Sequence, residues 1–412
     1  MARRSKVGGN EPLKVGLYGG FGTGNWGNDE TARTLAGQLR ERLPYVEPFL
    51  ISYGAPSTQY RPEFARVVWM SAPRPASSTR LGRVLARGSG AARDLWRHVQ
   101  VVRSADVIIV AGGGLFENDA TAATAGMGGF LNLVGVGASA RMRGVPFGIV
   151  AVGATRWQET PERLLVGWVM RLAQYRSFRD VPSRDALVLD GGAKPSDQVF
   201  ADLVFAEPLN RSEGPRRCVG IGVMAHGWLS DGDAGAAYVD ACASLAKTLM
   251  RSGTDVLVFG GDASDERWAA TIVDRATNSG EPLPGHLERV DASAPGALDD
   301  AIDRSDVIVC SRYHNVVMAV RHLTPVVAVA DREKTRTLMA DIGQSSFVVE
   351  ARQVDADLLE GLVTELMKSR ASVVEVISNA LTAMSRAAEA QVRDVCAHLV
   401  QQSGDTAGGV RK

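Results

Sequence analysis

The chain has 412 residues, with 46 basic and 46 acidic side chains, and 45% of its residues are hydrophobic. At roughly 150 residues per domain, this length suggests two or three domains, each with its own core. This composition excludes a disordered chain and a disulfide scaffold, and zero net charge argues against a general nucleic-acid binder.

Short β-branched runs alternate with helix-length segments, which predicts parallel sheets covered by helices on both faces. The predicted strands are Leu13–Tyr18, Val46–Ser52, Val67–Met70, Val107–Val110, Phe147–Val152, Cys218–Val223, Asp255–Phe259, Val307–Cys310 and Val326–Val329. The predicted helices include Glu30–Leu43, Thr160–Ala173, Ala234–Arg251, Glu266–Asn278 and Lys334–Ile342. The fold class that follows is α/β, with two Rossmann-like parallel-sheet domains facing a cleft.

The polar segment 207–217 contains Pro208 and Pro215, and a new strand–helix alternation begins directly after it. We therefore predict an N-terminal α/β domain over 1–206, a linker over 207–217 and a C-terminal α/β domain over 218–354. Residues 355–412 are expected to form helices with a frayed end.

Four cysteines stand far apart without a CxxC pair, which favours buried or free thiols in a reducing compartment: Cys218, Cys242, Cys310 and Cys396. The basic N-terminus lacks a following apolar run, so we expect no signal peptide. The weakly polar stretch Gly126–Ala140 is too short to span a bilayer. These features predict a cytoplasmic protein, with contact at the inner face of the membrane left open.

An arginine-rich stretch from Arg74 to Arg103 contains seven arginines and a single acid, Asp94. One interpretation is a solvated pair of helices. The other is a basic rim that holds an anionic substrate or contacts an anionic lipid leaflet.

Two glycine-rich loops follow predicted strands. The first, GGFGTGNWGNDE, leads into a helix, and such a turn aims backbone N–H groups at an anionic ligand. Glycine loops also allow tight packing, and Asp29 and Glu30 are equally explained as acids that complement the helix dipole. The second loop carries Gly112, Gly113 and Gly114 at the end of a strand, where open sheets bind ligands, so a binding role is favoured over packing alone.

Three basic side chains and one histidine also follow strands. Arg179, in SFRDVPSR, is either a fork for a carboxylate or phosphate or a surface ion pair. Arg312 and His314, in SRYHNVVMA, stand together at a strand-to-helix turn, which favours a catalytic role over a structural one. Lys334 occupies another such turn. No cluster has the spacing of metal ligands, so no metal is expected.

The order of these segments resembles the polysaccharide pyruvyl transferase family. GNWGNDE, GGGLF, RDVPS, SRYHNVVMA and REKTRTLM stand in the family's order from Gly19 to about Gly343. Two departures leave questions open: Asn28 is inserted in the first loop, and MAHGW follows Cys218–Val223 where many members have a basic side chain. His226 is the candidate replacement there.

The resemblance implies a fold similar to B-type glycosyltransferases, with the active site between two domains. It implies transfer of the enolpyruvyl-derived unit of phosphoenolpyruvate onto two hydroxyls of a sugar, giving a pyruvate ketal and phosphate without a further cofactor. The acceptor would belong to a cell-surface polysaccharide, a glycolipid or a nucleotide-linked precursor. The alternative is a nucleotide-sugar glycosyltransferase of the same fold, which would need an acid on the nucleotide ribose.

By resemblance, Arg179, Arg312 and His314 contact phosphoenolpyruvate, Lys334 is a further contact, and Asn25 faces the same cleft. Ketal formation requires a proton on the vinyl carbon, and a histidine suits this step because its pKa lies near working pH. His314 is therefore the predicted general acid.

Overall fold

The computed structural model describes residues 12–54, 64, 66–70, 96–118, 126–157, 161–207, 218–224, 232–278, 282–292 and 296–401. These residues divide into two compact units. The first unit falls within Met1–Thr23, Asn28–Glu207 and Arg386–Lys412, and the second within Gly24–Gly27 and Pro208–Ser385.

The first unit contains a parallel sheet of seven strands in the order β3-β2-β1-β4-β5-β6-β7. The strands are β1 (Leu13–Gly19), β2 (Val46–Ser52), β3 (Val67–Trp69), β4 (Val107–Ala111), β5 (Phe147–Val152), β6 (Tyr175–Phe178) and β7 (Gln198–Val199). The central strands β4 and β5 are continuous apolar runs that are buried throughout, as expected of a parallel sheet covered on both faces.

The helices of this unit are α1 (Trp26–Arg42), α2 (96–103), α3 (Gly126–Arg143), α4 (Pro161–Leu172) and α5 (Val181–Leu189). Side chains of α2 to α5, including Val102, Phe130, Met170 and Leu187, share one hydrophobic cluster with the sheet residue Ile149. These four helices therefore cover one core. None of the helices in the described ranges is both long and apolar enough to cross a membrane.

The second unit contains a parallel sheet of six strands in the order β10-β9-β8-β11-β12-β13. The strands are β8 (Cys218–Gly222), β9 (Asp255–Phe259), β10 (Leu287–Arg289), β11 (Ser305–Cys310), β12 (Val326–Ala330) and β13 (Val348–Glu350). The helices are α6 (Gly232–Arg251), α7 (Glu266–Thr277), α8 (Ala297–Arg304), α9 (Tyr313–Arg321), α10 (Glu333–Asp341) and α11 (Ala356–Val395).

Two parallel-sheet α/β units confirm the predicted fold class. Most predicted elements are present within a few residues, but α1 begins at Trp26 rather than Glu30, so much of the GNWGNDE loop is helical. The segment 24–27 lies with the second unit, and α11 runs from the second unit into residues of the first. The domain boundaries predicted at 206 and 355 anticipate neither the placement of 24–27 nor the passage of α11 between the units.

Candidate functional site

The glycine loop after β4 packs against the beginning of α1. Gly112 and Gly113 have φ values of +56° and +73°, in the left-handed region that disfavours other residues. A Cβ on Gly112 would overlap the methyl group of Thr31, and one on Gly113 would lie 3.0 Å from Asn28 Oδ1. Backbone conformation and close packing therefore account for these two glycines, and their role in ligand binding stays a prediction.

Arg179 follows β6 and is buried in an ion pair, with its side chain 1% exposed. Its Nη2 donates to Glu117 Oε1 at 2.5 Å and its Nε to Asp180 Oδ2 at 3.2 Å. A Cβ on Gly153, after β5, would lie 2.7 Å from Glu117 Oε1 and would overlap the guanidinium, so this glycine makes room for the pair. Arg179 is thus neither a surface ion pair nor a cation without a counter-charge.

Glu117 was not singled out from the sequence, although it lies three residues beyond the glycine triplet in AGGGLFEND. The available signal was an acid directly after a strand-end loop. Its partner Arg179 lies 62 positions away, and no local pattern specifies that pairing.

Asp29, on the first turn of α1, is buried. Its Oδ1 accepts from the backbone N–H of Gly22 at 2.7 Å, and its Oδ2 has no hydrogen-bond partner among the described residues. Burial raises the pKa of Asp29 to about 7, a rise to which the nearby charge of Glu30 adds. A solvated acid that only complements the helix dipole does not account for this environment.

Arg312 follows β11 in the second unit and forms a buried, two-point ion pair with Asp265. The Nε and Nη2 groups of Arg312 each donate to one Asp265 oxygen at 2.7 Å. Asp265 is fully buried and also accepts from the backbone N–H of Gly261 at 2.9 Å. Burial lowers the pKa of Arg312, but the Asp265 carboxylate more than offsets this and holds the pKa above its usual range.

His314 lies on the first turn of α9 and packs against Gly27. A Cβ built on Gly27 would lie 2.5 Å from His314 Cβ and closer still to the imidazole, so only glycine fits without a shift. The Tyr313 and His314 rings meet edge to face at 5.5 Å between centroids. Lys334 Nζ lies 5.4 Å from the centroid of Tyr313, in a cation–π contact.

Asn25 belongs to the same unit, where it forms an antiparallel β-bridge with Asp262. The structure therefore brings Asn25, Arg312, His314 and Lys334 into the second unit, and Gly112, Gly113, Gly114 and Arg179 into the first.

Asn315 and Asp265 are second-unit residues to which the sequence interpretation gave no role. Asn315 is fully buried, and within the described ranges neither atom of its amide has a hydrogen-bond partner. A Cβ on Gly222 would lie 2.8 Å from the Asn315 amide nitrogen, and one on Gly261 would lie 2.5 Å from the amide oxygen. The amide of Asn315 therefore packs tightly at the carboxyl ends of β8 and β9. The short polar run after β9 was the available signal for Asp265.

Four predictions fall wholly or partly outside the described residues: His226, the part of the arginine-rich stretch from Arg74 to Asp94, the linker over 208–217 and the frayed end over 402–412. Among the residues that are described, no group of three or more His, Cys, Asp or Glu side chains could hold a metal ion. The four cysteines are buried free thiols.

Solved structures with a similar fold include UDP-N-acetylglucosamine 2-epimerases and a trehalose 6-phosphate synthase. A putative UDP-N-acetylglucosamine 2-epimerase from Listeria monocytogenes matches with a TM-score of 0.60 at 13% identity, over 95% of this chain and 97% of its own. UDP-GlcNAc 2-epimerase from Neisseria meningitidis gives 0.58 at 12% identity, over 94% and 100%. Trehalose 6-phosphate synthase from Burkholderia multivorans gives 0.50 at 12% identity, over 94% and 99%. At these identities the likeness concerns the fold, which is that of B-type glycosyltransferases.

No curated protein sequence matches the chain. A family model for polysaccharide pyruvyl transferase, however, matches residues 25–332, which is most of the chain and includes Asn25, Arg179, Arg312 and His314. The resemblance drawn from the ordered motifs is confirmed by this match. The chain therefore belongs to the polysaccharide pyruvyl transferase family and is a transferase.

Proposed function

We propose that this protein transfers the enolpyruvyl-derived unit of phosphoenolpyruvate onto two hydroxyls of one sugar, forming a cyclic ketal and releasing phosphate. The observation that carries the proposal is the juxtaposition of Arg312 and His314 at the start of α9, with Arg312 held in place by Asp265. A positioned guanidinium and a proton donor within one helical turn suit an anionic donor that must be protonated.

The proposed contribution of Arg312 is orientation of the donor. Asp265 engages Nε and Nη2, which leaves Nη1 outside this pair for a carboxylate or phosphate oxygen of the donor. Arg179 would bind the second anionic group, held in turn by Glu117 and Asp180. Both guanidiniums already have carboxylate partners, which offset their positive charge. Their main contribution to donor binding would therefore be hydrogen-bond donors held in a fixed orientation.

His314 would act as the general acid. It gives its proton to the vinyl CH2 of phosphoenolpyruvate, and the resulting oxocarbenium-like carbon is attacked by one sugar hydroxyl, which loses its proton. The C–O bond to phosphate then breaks, and a second hydroxyl closes the ring. Of the two hydroxyl protons, one restores His314 and the other leaves with phosphate. Lys334, Asn25 and the Gly112–Gly114 loop are proposed contacts to donor or acceptor.

The acceptor is proposed to be a sugar of a cell-surface polysaccharide, a glycolipid or a nucleotide-linked precursor. The chemistry proposed here needs no cofactor beyond the donor. It takes place, by this proposal, in the cytoplasm, where phosphoenolpyruvate and the activated precursors of such polymers meet.

The direct test is to incubate the protein with phosphoenolpyruvate and candidate acceptors, recording phosphate release together with the mass gain of the sugar. His314→Gln keeps the side-chain volume but cannot deliver a proton near neutral pH, so turnover should fall by about 10²–10⁴-fold while donor binding persists. His286→Gln, at an exposed histidine of the same unit, is the matched control and should keep parental turnover. A His314→Gln variant with most of the parental kcat would remove His314 from the mechanism.

The alternative is transfer from a nucleotide sugar, which the similar fold of the epimerases and of the synthase keeps open. The same assay with UDP-sugars in place of phosphoenolpyruvate decides between the two. Release of UDP without any phosphoenolpyruvate-dependent mass gain would replace the proposed reaction with glycosyl transfer.

A further inference from the structure

The outward faces of α3 and α4 expose large apolar side chains. Leu131 and Met142 on α3 are 52% and 82% exposed, and Leu164 and Trp168 on α4 are 69% and 57% exposed. Their inward faces pack into the core of the first unit through Phe130, Val136, Val166, Val169 and Met170. The exposed residues are therefore additional to what the fold requires.

The exposed residues of each helix share one side of that helix. Leu131 and Met142 are eleven positions apart, and Leu164 and Trp168 are four apart, so each pair lies on one side of its helix. The two helices pack against each other, with Leu172 Cβ 3.3 Å from the position of a Cβ on Gly137. Between the two outer residues of α3, the uncharged Ala138 is half-buried on the same side, whereas Val134 packs against the core cluster and Gly135 against His98.

The charged side chains of α3 and α4 are all arginines except for Glu162. Exposed arginines flank the apolar residues at positions Arg141, Arg143, Arg163 and Arg171. Helix α3 has no acidic residue at all, and Glu162 is the one acid of α4. We refer to these four apolar residues and four arginines as the α3–α4 face.

We propose that the α3–α4 face docks on a lipid bilayer that contains anionic phospholipids. Leucine, methionine and tryptophan side chains insert at the boundary between headgroups and acyl chains, where tryptophan is favoured, and the arginines bind the phosphates. The residues of this face are not those of the arginine-rich stretch, and membrane docking would decide where the protein works rather than which donor it uses.

Charge favours a lipid surface over a second copy of the chain. In a twofold dimer the same face meets itself, so the arginines of one copy would lie against those of the other, with Glu162 as the sole acid of these helices to offset them. An anionic membrane instead supplies the opposite charge over the whole face.

The test is flotation of the full-length protein with vesicles of phosphatidylcholine alone or of equal parts phosphatidylcholine and phosphatidylglycerol. The parent should float with the mixed vesicles, and about tenfold less with phosphatidylcholine alone or in high salt. Leu164→Ser combined with Trp168→Ser should abolish flotation. Met367→Ser, at an exposed methionine of α11, is the matched control and should float as the parent does.

A melting curve for each variant shows whether it is folded. Should the double serine variant unfold, Arg141→Glu combined with Arg143→Glu leaves the apolar residues in place and should likewise lower flotation. The proposal is overturned if the parent ignores the mixed vesicles or if folded variants float as the parent does. It is also overturned if light scattering shows that the parent is a dimer, the double serine variant is a monomer, and the parent does not bind vesicles.

Discussion

Removing the carboxylate of Asp265 should destabilise the protein strongly, because Arg312 would remain buried without a counter-charge. In the structure Asp265 is fully buried, and it accepts two hydrogen bonds from Arg312 at 2.7 Å and one from the N–H of Gly261. Breaking a buried ion pair from one side typically costs about 3–5 kcal/mol. We therefore expect Asp265→Ala to lower the free energy of unfolding by about 4 kcal/mol, with Asp265→Asn less severe since its amide oxygen still accepts.

The matched control is the pair between Arg304 and Glu288 in the same unit. Both side chains are about two-fifths exposed (38% and 40%), although Arg304 Nη2 and Glu288 Oε2 are 2.6 Å apart. Exposed pairs contribute about 0–1 kcal/mol, so Glu288→Ala should be nearly neutral. Urea denaturation of the parent and the three variants measures all these values. If Asp265→Ala lies within 1 kcal/mol of Glu288→Ala, the argument from burial is wrong.

Three further predictions follow from individual contacts. Gly27→Ala must displace the His314 imidazole and should lower kcat by about 10²-fold, which steady-state kinetics measure. Gly37→Ala is the control: its Cβ would have no atom within 4 Å, so melting curves should show α1 stabilised by about 0.5–1 kcal/mol. The two ring nitrogens of His322 each lie 2.8 Å from an aspartate oxygen, Asp303 Oδ1 and Asp299 Oδ1. Burial lowers the pKa of His322, but the two carboxylates more than offset this and hold it above the ordinary value of about 6.5. The stabilisation from the charged imidazole is therefore complete below that value and is lost as pH rises through the folded pKa. His322→Gln should thus destabilise most in acid, with the gap to the parent closing at alkaline pH in urea titrations. The pKa of Asp29 is about 7 in the folded protein and about 3.9 in the unfolded chain, so the free energy of unfolding should fall as pH rises from about 4 to about 7. Asp29→Asn should flatten that fall in the same urea titrations. An unchanged slope would show that Asp29 ionises normally.

The alternation of strands and helices could be predicted because it is written in local periodicity. Val46–Ser52, Phe147–Val152 and Asp255–Phe259 are confirmed to the residue, since each contains a short apolar run that a parallel sheet buries on both faces: 49–51, 149–152 and 256–259. The family could be predicted from the order of several motifs, although each motif alone is unspecific.

Elements without such a run were missed. Strand β6 reads YRSF and gains its place by pairing with β5, not from β-branched residues. Helix α3 carries five glycines in eighteen residues, and it forms because its apolar side packs against the sheet and α4.

The chemistry-bearing residues were predicted by type and position, but tertiary structure decided their state. From the sequence, Arg179 and Arg312 are arginines at strand ends. In the fold each is buried against a carboxylate, Glu117 lying 62 positions away and Asp265 lying 47 positions away. Local propensity and spacing extend over a few residues, whereas burial and ion pairing depend on which strand ends the sheet order makes neighbours. The sequence by itself determined which side chains are available for chemistry, and only the tertiary structure decided their partners, their exposure and their pKa values.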